Sequence, residues 1–213
     1  GSPVGSGVAF WEFFAALNLD AGATGIIFNP SPANPSSFNA LNFALTTDID
    51  ALAAAMNATS ATYTESAMGF MTPPKPTQMT GLRNRGGKIM VYHGVSDPIF
   101  SVNDSETWFK GVQTGTGDNF ARFYQVPGMG HCSGGPATDQ FDMLTPLVNW
   151  VEKGQAPSDI VATARGAGNA GGVNSDLPSA WAPDRTRPLC AYPKVARYKG
   201  SGSLEVASSF VCQ

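Results

Sequence analysis

The stretch RGGKIMVYHGVSDPIF, residues 85–100, decides the fold, because it joins a buried strand to a polar turn. Residues 88–93 form a continuous apolar run after two glycines, which is typical of a parallel strand covered on both faces. The segment HGVSDP interrupts this run and places Asp97 in the loop that follows. We therefore expect Asp97 at the carboxyl end of a strand, the edge at which open α/β sheets bind their ligands.

The sequence beyond this stretch predicts alternating helices and strands. Ser101, with Asp104 three residues later, indicates the start of a helix. Residues 121–126 are predicted as a second strand, and residues 142–153 as an amphipathic helix that ends at Gly154. This order is typical of an α/β domain with a parallel sheet. Two strands are few for such a sheet, so we expect the C-terminal portion of a domain whose first strands lie elsewhere.

The first third of the chain has a different character. Thr47 is predicted as the N-cap of an alanine-rich helix that runs to about Met56. The Pro-rich segment 71–77 breaks regular structure, so we predict one domain over residues 1–75 and another over residues 76–213. Little in the first domain would form a self-sufficient core, which indicates part of an insertion.

Composition and charge exclude several functional classes. Charged residues are 14% of the chain and hydrophobic residues 42%, so intrinsic disorder is not expected. The net charge is -3 and no basic block is present, which argues against a nucleic-acid partner. No apolar run reaches the roughly 18 residues of a membrane-spanning helix, and no signal peptide is visible at the start. Low charge and two sequons, at Asn57 and Asn103, are typical of a secreted or periplasmic protein.

The chain has only two histidines, which narrows the search for catalytic groups. His131 lies in the glycine-rich loop after the second predicted strand, and Asp97 lies in the loop after the first. Parallel strands bring both loops to the same edge of the sheet, in the Asp-then-His order of α/β hydrolases. Asp97 would orient the imidazole, and His131 would act as general base and then general acid. The spacing alone fits equally well a turn at Asp97-Pro98 and a loop histidine without a catalytic role.

Four segments of the chain resemble the tannase and feruloyl esterase family, which includes hydrolases of mono-(2-hydroxyethyl) terephthalate. They are residues 85–100, VPGMGHCSGG (126–135), FDMLTPLVNWVEKGQAPSDIVAT (141–163) and RTRPLCAYP (185–193). The resemblance implies that residues 76–213 are the C-terminal part of an α/β-hydrolase catalytic domain, preceded by the tail of an inserted lid domain in residues 1–75. It also implies a serine carboxylic ester hydrolase for small aromatic esters of the feruloyl, galloyl or terephthalate monoester type.

The family pattern assigns roles to individual residues. Its catalytic Asp lies in an HGxxDP segment and its catalytic His is followed by Cys, which match Asp97 and the pair His131-Cys132. Its Ser nucleophile is preceded by a second Cys, and the two cysteines form a disulfide. Three cysteines are an odd number, which by itself leaves one for an outside partner or a free thiol. The resemblance implies that Cys132 pairs with a Cys outside this chain, while Cys190 and Cys212 close a C-terminal clasp.

The nucleophile is missing from the pattern. No GxSxG or GCSxG sequence occurs, and Ser133 and Ser96 lie too close to His131 and Asp97 along the chain to attack across a cleft. We expect the Ser and its Cys on an N-terminal segment or chain of the same enzyme, and no activity from this chain alone. The alternatives are a non-catalytic binding or structural fragment, and a different α/β hydrolase such as a peptidase or lactonase.

The remaining candidates also have structural explanations. His93 ends the first strand and would either line the substrate pocket or support the loop that follows. Trp11 and Phe14 belong to an aromatic segment that could stack on a planar acyl group or pack in a core. The family lid carries a structural calcium site, but Asp48 and Asp50 are too sparse for its loop. We therefore expect no metal or other cofactor in this chain, and a calcium only in lid segments outside it.

Overall fold

The computed structural model describes residues 10–213, apart from the side chains of residues 10–13 and 16. Two compact units make up the chain, Gly1–Pro76 and Thr77–Gln213. The division falls inside the Pro-rich segment 71–77. None of the helices in the described part is both long and apolar enough to cross a membrane.

The described part of the first unit is helical. It contains two π-helical segments, Phe10–Asp20 and Ala23–Ile27, followed by α1 (Ala40–Thr46), α2 (Ile49–Met56) and α3 (Ala67–Met71). The predicted alanine-rich helix is α2, but the prediction of its N-cap was wrong: the cap is Asp48 and not Thr47. The Asp48 carboxylate accepts a hydrogen bond from the Ala51 N–H at 2.8 Å. A carboxylate also interacts favourably with the positive end of the helix dipole, which explains the choice of cap.

The second unit contains the predicted alternation of helices and strands. Its elements are α4 (Thr80–Asn84), β1 (Ile89–Gly94), α5 (Val102–Gly115), β2 (Ala121–Val126), α6 (Leu144–Lys153), β3 (Asp159–Thr163), β4 (Thr186–Cys190), β5 (Ala196–Tyr198), a 3₁₀ turn (Ala207–Ser209) and β6 (Phe210–Cys212). Ser101 caps α5, as the sequence predicts, because its hydroxyl accepts a hydrogen bond from the Asn103 N–H at 3.2 Å.

Strands β1 and β2 form a parallel pair, and they end together with Gly94 opposite Val126. Apolar side chains cover both faces of the pair. Phe123 packs in a cluster with residues of α5, whereas its neighbour Tyr124 belongs to a second cluster with residues of β3 and β4. The two loops that follow the strands therefore begin side by side at one edge of the sheet.

Tyr124 shows how the core of the second unit tolerates a polar atom. Its side chain is fully buried, and its hydroxyl donates a hydrogen bond to the Pro157 carbonyl at 3.0 Å. Burial raises the pKa of Tyr124 to about 12, so the phenol stays neutral over the physiological range. The hydrogen bond therefore removes the penalty of an unsatisfied buried hydroxyl.

Helix α6 begins two residues later than predicted. The Asp142 carboxylate accepts hydrogen bonds from the N–H groups of Leu144 at 2.8 Å and Thr145 at 3.0 Å. Asp142 thus stands outside the helix and satisfies N–H groups of its first turn. The predicted end at Gly154 is confirmed, since this residue adopts the left-handed conformation with φ 69°.

The C-terminal part forms two antiparallel pairs, β3 with β4 and β5 with β6, which the sequence analysis did not predict. A disulfide joins Cys190 of β4 to Cys212 of β6, so the clasp implied by the family resemblance is confirmed. The Arg187 guanidinium of β4 also lies over the Phe210 ring of β6, 4.3 Å from its centroid. The disulfide and this contact together tie the C-terminal pair to β4.

We predict that loss of the Cys190–Cys212 disulfide destabilises the 213-residue chain. The bridge closes a loop with a sequence separation of 22, and a loop of this size stabilises the folded state by about 3 kcal/mol. Urea unfolding of a double variant, Cys190→Ser with Cys212→Ser, should show this loss. Cys132→Ser is the matched control and should unfold like the parent chain. Equal stability of the double variant and the parent would contradict the prediction.

Candidate active site

Asp97 lies in a tight turn directly after β1, and its carboxylate is almost fully buried, with 3% of the side chain exposed. The Val95 N–H donates to the Val126 carbonyl at 3.0 Å, which continues the strand pairing into the turn. The carboxylate oxygen Oδ1 then accepts hydrogen bonds from the N–H groups of Ile99 at 2.9 Å and Phe100 at 3.0 Å. These bonds leave the second oxygen, Oδ2, for partners from other segments.

His131 is the partner of this second oxygen. Its Nδ1 lies 2.9 Å from Asp97 Oδ2, and about a quarter of its side chain is exposed. Because the carboxylate can only accept, Nδ1 carries the proton and Nε2 is the unprotonated nitrogen of the neutral ring. The Phe100 ring packs against the imidazole, with centroids 5.2 Å apart. The structure thus brings together the two residues that the sequence nominates as catalytic.

The environment of Asp97 keeps it ionised. Burial opposes ionisation, but the hydrogen bonds from the Phe100 N–H, His131 and the Ile99 N–H outweigh it and hold the pKa of Asp97 below its usual value. Asp97 is therefore an anion at neutral pH, and an anion next to Nδ1 stabilises a positive charge on the imidazole.

Backbone contacts join the Asp97 turn to the His131 loop. The Ser96 N–H donates to the Met129 carbonyl at 3.0 Å, and Met129 itself is fully buried. Gly94, at the end of β1, faces the same segment so closely that an added Cβ would overlap the carbonyl oxygens of Met129 and Gly130. Glycine is therefore required at position 94 for the two loops to approach each other.

Two carboxylates anchor the His131 loop through hydrogen bonds to its backbone, and the sequence analysis missed both. Asp139, with a fully buried side chain, accepts a hydrogen bond from the Gly134 N–H at 2.7 Å and pairs with Arg165 at 2.6 Å. Asp176 accepts a hydrogen bond from the Gly135 N–H at 3.0 Å. Gly134 and Gly135 both have positive φ, so the loop needs glycine at this turn. No sequence signal links Asp139 to Arg165 or Asp176 to Gly135, because these partners lie 26 and 41 residues apart along the chain.

The structure places His93 next to Asp97, where both of its ring nitrogens contact protein atoms. Its Nε2 lies 3.0 Å from the Phe100 carbonyl oxygen and 3.2 Å from Asp97 Oδ2, and its Nδ1 lies 2.8 Å from Ser105 Oγ. Both ring nitrogens therefore have protein partners. The involvement of His93 in substrate binding stays a prediction.

The other predicted site residues lie in different surroundings. Cys132 follows His131 directly, is exposed and has no disulfide partner among the described residues. Phe14 belongs to the first unit and is 52% exposed. The side chain of Trp11 lies outside the described residues. The substrate contacts predicted for Trp11 and Phe14 therefore stay predictions.

No metal centre is evident in residues 10–213. Within this described part, no three His, Cys, Asp or Glu side chains lie together in a group that could hold a metal ion.

The sequence of this chain matches a known protein family. The pattern of the family described as "Tannase and feruloyl esterase" matches residues 27–213. The chain belongs to this family. The resemblance stated from the four sequence segments is thereby confirmed.

Individual members of the tannase and feruloyl esterase family are similar over most of this chain. The chain is 45% identical over 157 residues to mono(2-hydroxyethyl) terephthalate hydrolase of Piscinibacter sakaiensis, which covers 73% of this chain and 24% of that relative. It is 31% identical over 181 residues to a probable feruloyl esterase B-2 of Neosartorya fischeri, which covers 73% of this chain and 32% of the relative. These relatives are ester hydrolases by name.

Solved structures show the same fold. An esterase from Aspergillus oryzae superimposes with a TM-score of 0.60 at 25% identity, over 84% of this chain and 35% of that one. Feruloyl esterase B from Aspergillus oryzae gives a TM-score of 0.55 at 23% identity, over 84% and 34%. The fold is thus consistent with an α/β hydrolase. The chain spans about a quarter to a third of the length of these relatives and solved structures.

We predict that Gly94→Ala destabilises the chain, because the new Cβ would collide with backbone of the His131 loop. Forcing the backbone apart typically lowers the free energy of unfolding by about 1–3 kcal/mol, which urea unfolding measures. Gly81→Ala is the matched control, since a Cβ there meets no atom within 4 Å. Similar stability of the two variants would show that the close approach is unimportant.

We also predict that Asp97 makes the chain sensitive to acid. Its folded-state pKa lies below the unfolded value of about 3.9. The ionised carboxylate therefore stabilises the fold above that value, and this contribution disappears as the pH falls through the folded-state pKa. We expect the free energy of unfolding, measured with urea between about pH 2.5 and pH 7, to fall more steeply towards low pH in the parent than in Asp97→Asn. Asp184→Asn, at an exposed loop position, should keep the steepness of the parent; an equally steep Asp97→Asn curve would refute the prediction.

Proposed function

We propose that this chain is part of a serine carboxylic ester hydrolase for esters of aromatic acids, to which it contributes Asp97 and His131. The observation that carries the proposal is the 2.9 Å hydrogen bond between His131 Nδ1 and Asp97 Oδ2 in a member of the tannase and feruloyl esterase family. A buried carboxylate hydrogen-bonded to Nδ1 of an imidazole is the Asp-His arrangement of Ser-His-Asp hydrolases.

The geometry supports acyl transfer in two steps. In the first, the serine oxygen bonds to the ester carbonyl carbon while His131 Nε2 takes the serine proton, and Asp97 stabilises the resulting imidazolium. The bond from the acyl carbon to the alcohol oxygen then breaks, and the alcohol leaves with the proton from His131. In the second, water attacks the acyl-serine, His131 takes the water proton, and the serine leaves with it. One ester and one water become one acid and one alcohol.

In this proposal the serine comes from a segment N-terminal to this chain, together with the amides that stabilise the oxyanion. Two observations on Cys132 support a disulfide to a cysteine next to that serine. Cys132 is exposed, and it follows His131 directly in the sequence. Such a bond would hold the nucleophile loop against the His131 loop.

The proposed substrates share a planar aromatic acyl group, because the relatives are named for terephthalate monoester and feruloyl ester hydrolysis. We assign residues 1–75 to the lid of the enzyme, with Trp11 and Phe14 against the acyl group. A structural calcium would belong to lid segments outside this chain. The Cys190–Cys212 disulfide supports a secreted or periplasmic location, where disulfides persist.

Intact mass of the native protein, before and after reduction, tests the proposed assembly. We expect either one polypeptide that contains this chain and a Cys-Ser segment, or a partner peptide that reduction releases and that carries Cys-Ser. A source protein without a serine next to the cysteine that pairs with Cys132 would refute the proposal and favour a non-catalytic fragment.

Kinetics of the polypeptide that contains the serine test the roles of the two residues. Asp97→Asn and His131→Ala should each lower kcat/KM for a feruloyl ester or a terephthalate monoester by about 10⁴-fold, as in other triads. Asp184→Asn is an exposed control and should keep the parent activity. Parent-like activity of His131→Ala would disprove the proposed mechanism.

A further inference from the structure

The surroundings of His93 allow its tautomer to be assigned. Nε2 faces two oxygens that can only accept, the Phe100 carbonyl at 3.0 Å and Asp97 Oδ2 at 3.2 Å. A lone pair on Nε2 would repel both, so Nε2 carries a proton. Nδ1 faces the Ser105 hydroxyl at 2.8 Å, which can donate to it. The neutral Nε2–H tautomer therefore satisfies every contact of the ring.

Two hydrogen bonds and one close polar contact connect His93, Phe100 and Asp97. His93 donates to the Phe100 carbonyl, the Phe100 N–H donates to Asp97 Oδ1, and the Phe100 ring packs on His131. His93 Nε2–H also presents its positive end to Asp97 Oδ2, the oxygen that binds His131. A change at His93 would therefore reach both the shape of the turn and the orientation of the carboxylate.

We propose, on the basis of the proposed function, that His93 is a positioning residue for Asp97. Ser105 holds His93 in the Nε2–H tautomer, and His93 in turn keeps Asp97 aligned with His131. Ser105 lies on α5, whereas His93 lies on β1 and Asp97 in the turn after it. The helix packed beside the sheet thus takes part in aligning the candidate triad. This role explains why both nitrogens of His93 have protein partners.

The first experiment measures kcat and KM of His93 variants of the polypeptide that includes the serine. His93→Leu removes the N–H that donates to the Phe100 carbonyl in the turn around the charged Asp97. It should lower kcat by about 10- to 100-fold, with KM changed less than about twofold. His93→Gln keeps an N–H donor and should recover most of this loss. Tyr92→Phe, on the same strand, is the matched control and should match the parent. A higher KM with parent kcat in His93→Leu would show substrate binding and overturn the proposal.

A second pair of variants isolates the tautomer. Ser105→Ala removes the hydroxyl beside Nδ1 and should lower kcat by about 3- to 10-fold, whereas Ser105→Thr keeps a hydroxyl and should restore it. Production in a host without N-glycosylation prevents interference, because Ser105 completes the sequon at Asn103. Equal kcat values for Ser105→Ala and the parent would contradict the role of Ser105.

NMR of the polypeptide that includes the serine tests the alignment without any ester hydrolysis. Imidazole ¹⁵N spectra should show protonated Nε2 and unprotonated Nδ1 in His93, and the reverse tautomer would overturn the proposal. The His131 Nδ1 proton should exchange with water faster in His93→Leu than in the parent or Tyr92→Phe. Unchanged exchange would also refute positioning. These spectra stand even if the protein hydrolyses no ester, so a failure of the proposed function is distinguishable from a failure of this inference.

Discussion

The buried carboxylate of Asp97 is the constraint on which the rest of the site depends. A carboxylate that loses water must regain its hydrogen bonds within the protein, or the fold is heavily destabilised. Two backbone N–H groups satisfy one oxygen, and His131 and His93 approach the other. Because these donors come from three segments, the position of each segment is set by the same group. A local charge therefore determines the geometry of both loops.

The parallel pairing of β1 with β2 makes this convergence possible. Both strands end at the same level, so the turn with Asp97 and the loop with His131 start as neighbours. The missing side chain at Gly94 then lets their backbones touch. An ion pair between the buried Asp139 and the partly buried Arg165 holds the far end of the His131 loop. Strand pairing brings Asp97 and His131 near each other, and these contacts bring their side chains within hydrogen-bond distance.

Sequence reasoning was most successful where the signal was local. The apolar run before HGVSDP, the cap at Ser101 and the terminal Gly154 each depend on near neighbours, and the corresponding elements are present. Prediction failed where a tertiary partner decided the outcome. The antiparallel strands β3 to β6 are short and stabilised by distant pairing, and the anchor Asp139 has its cationic partner far along the chain. Neither feature leaves a periodic pattern.

The sequence by itself determined the chemistry available: two histidines, an Asp after an apolar run, a Cys after the second histidine and a family pattern over residues 27–213. It also determined the order of β1, α5, β2 and α6, because periodicity and capping are properties of contiguous residues. Only the tertiary structure decided which histidine binds Asp97 through Nδ1 and which contacts it through Nε2. The physical reason is that side-chain distances depend on strand pairing and loop closure, which join residues that are far apart in the chain.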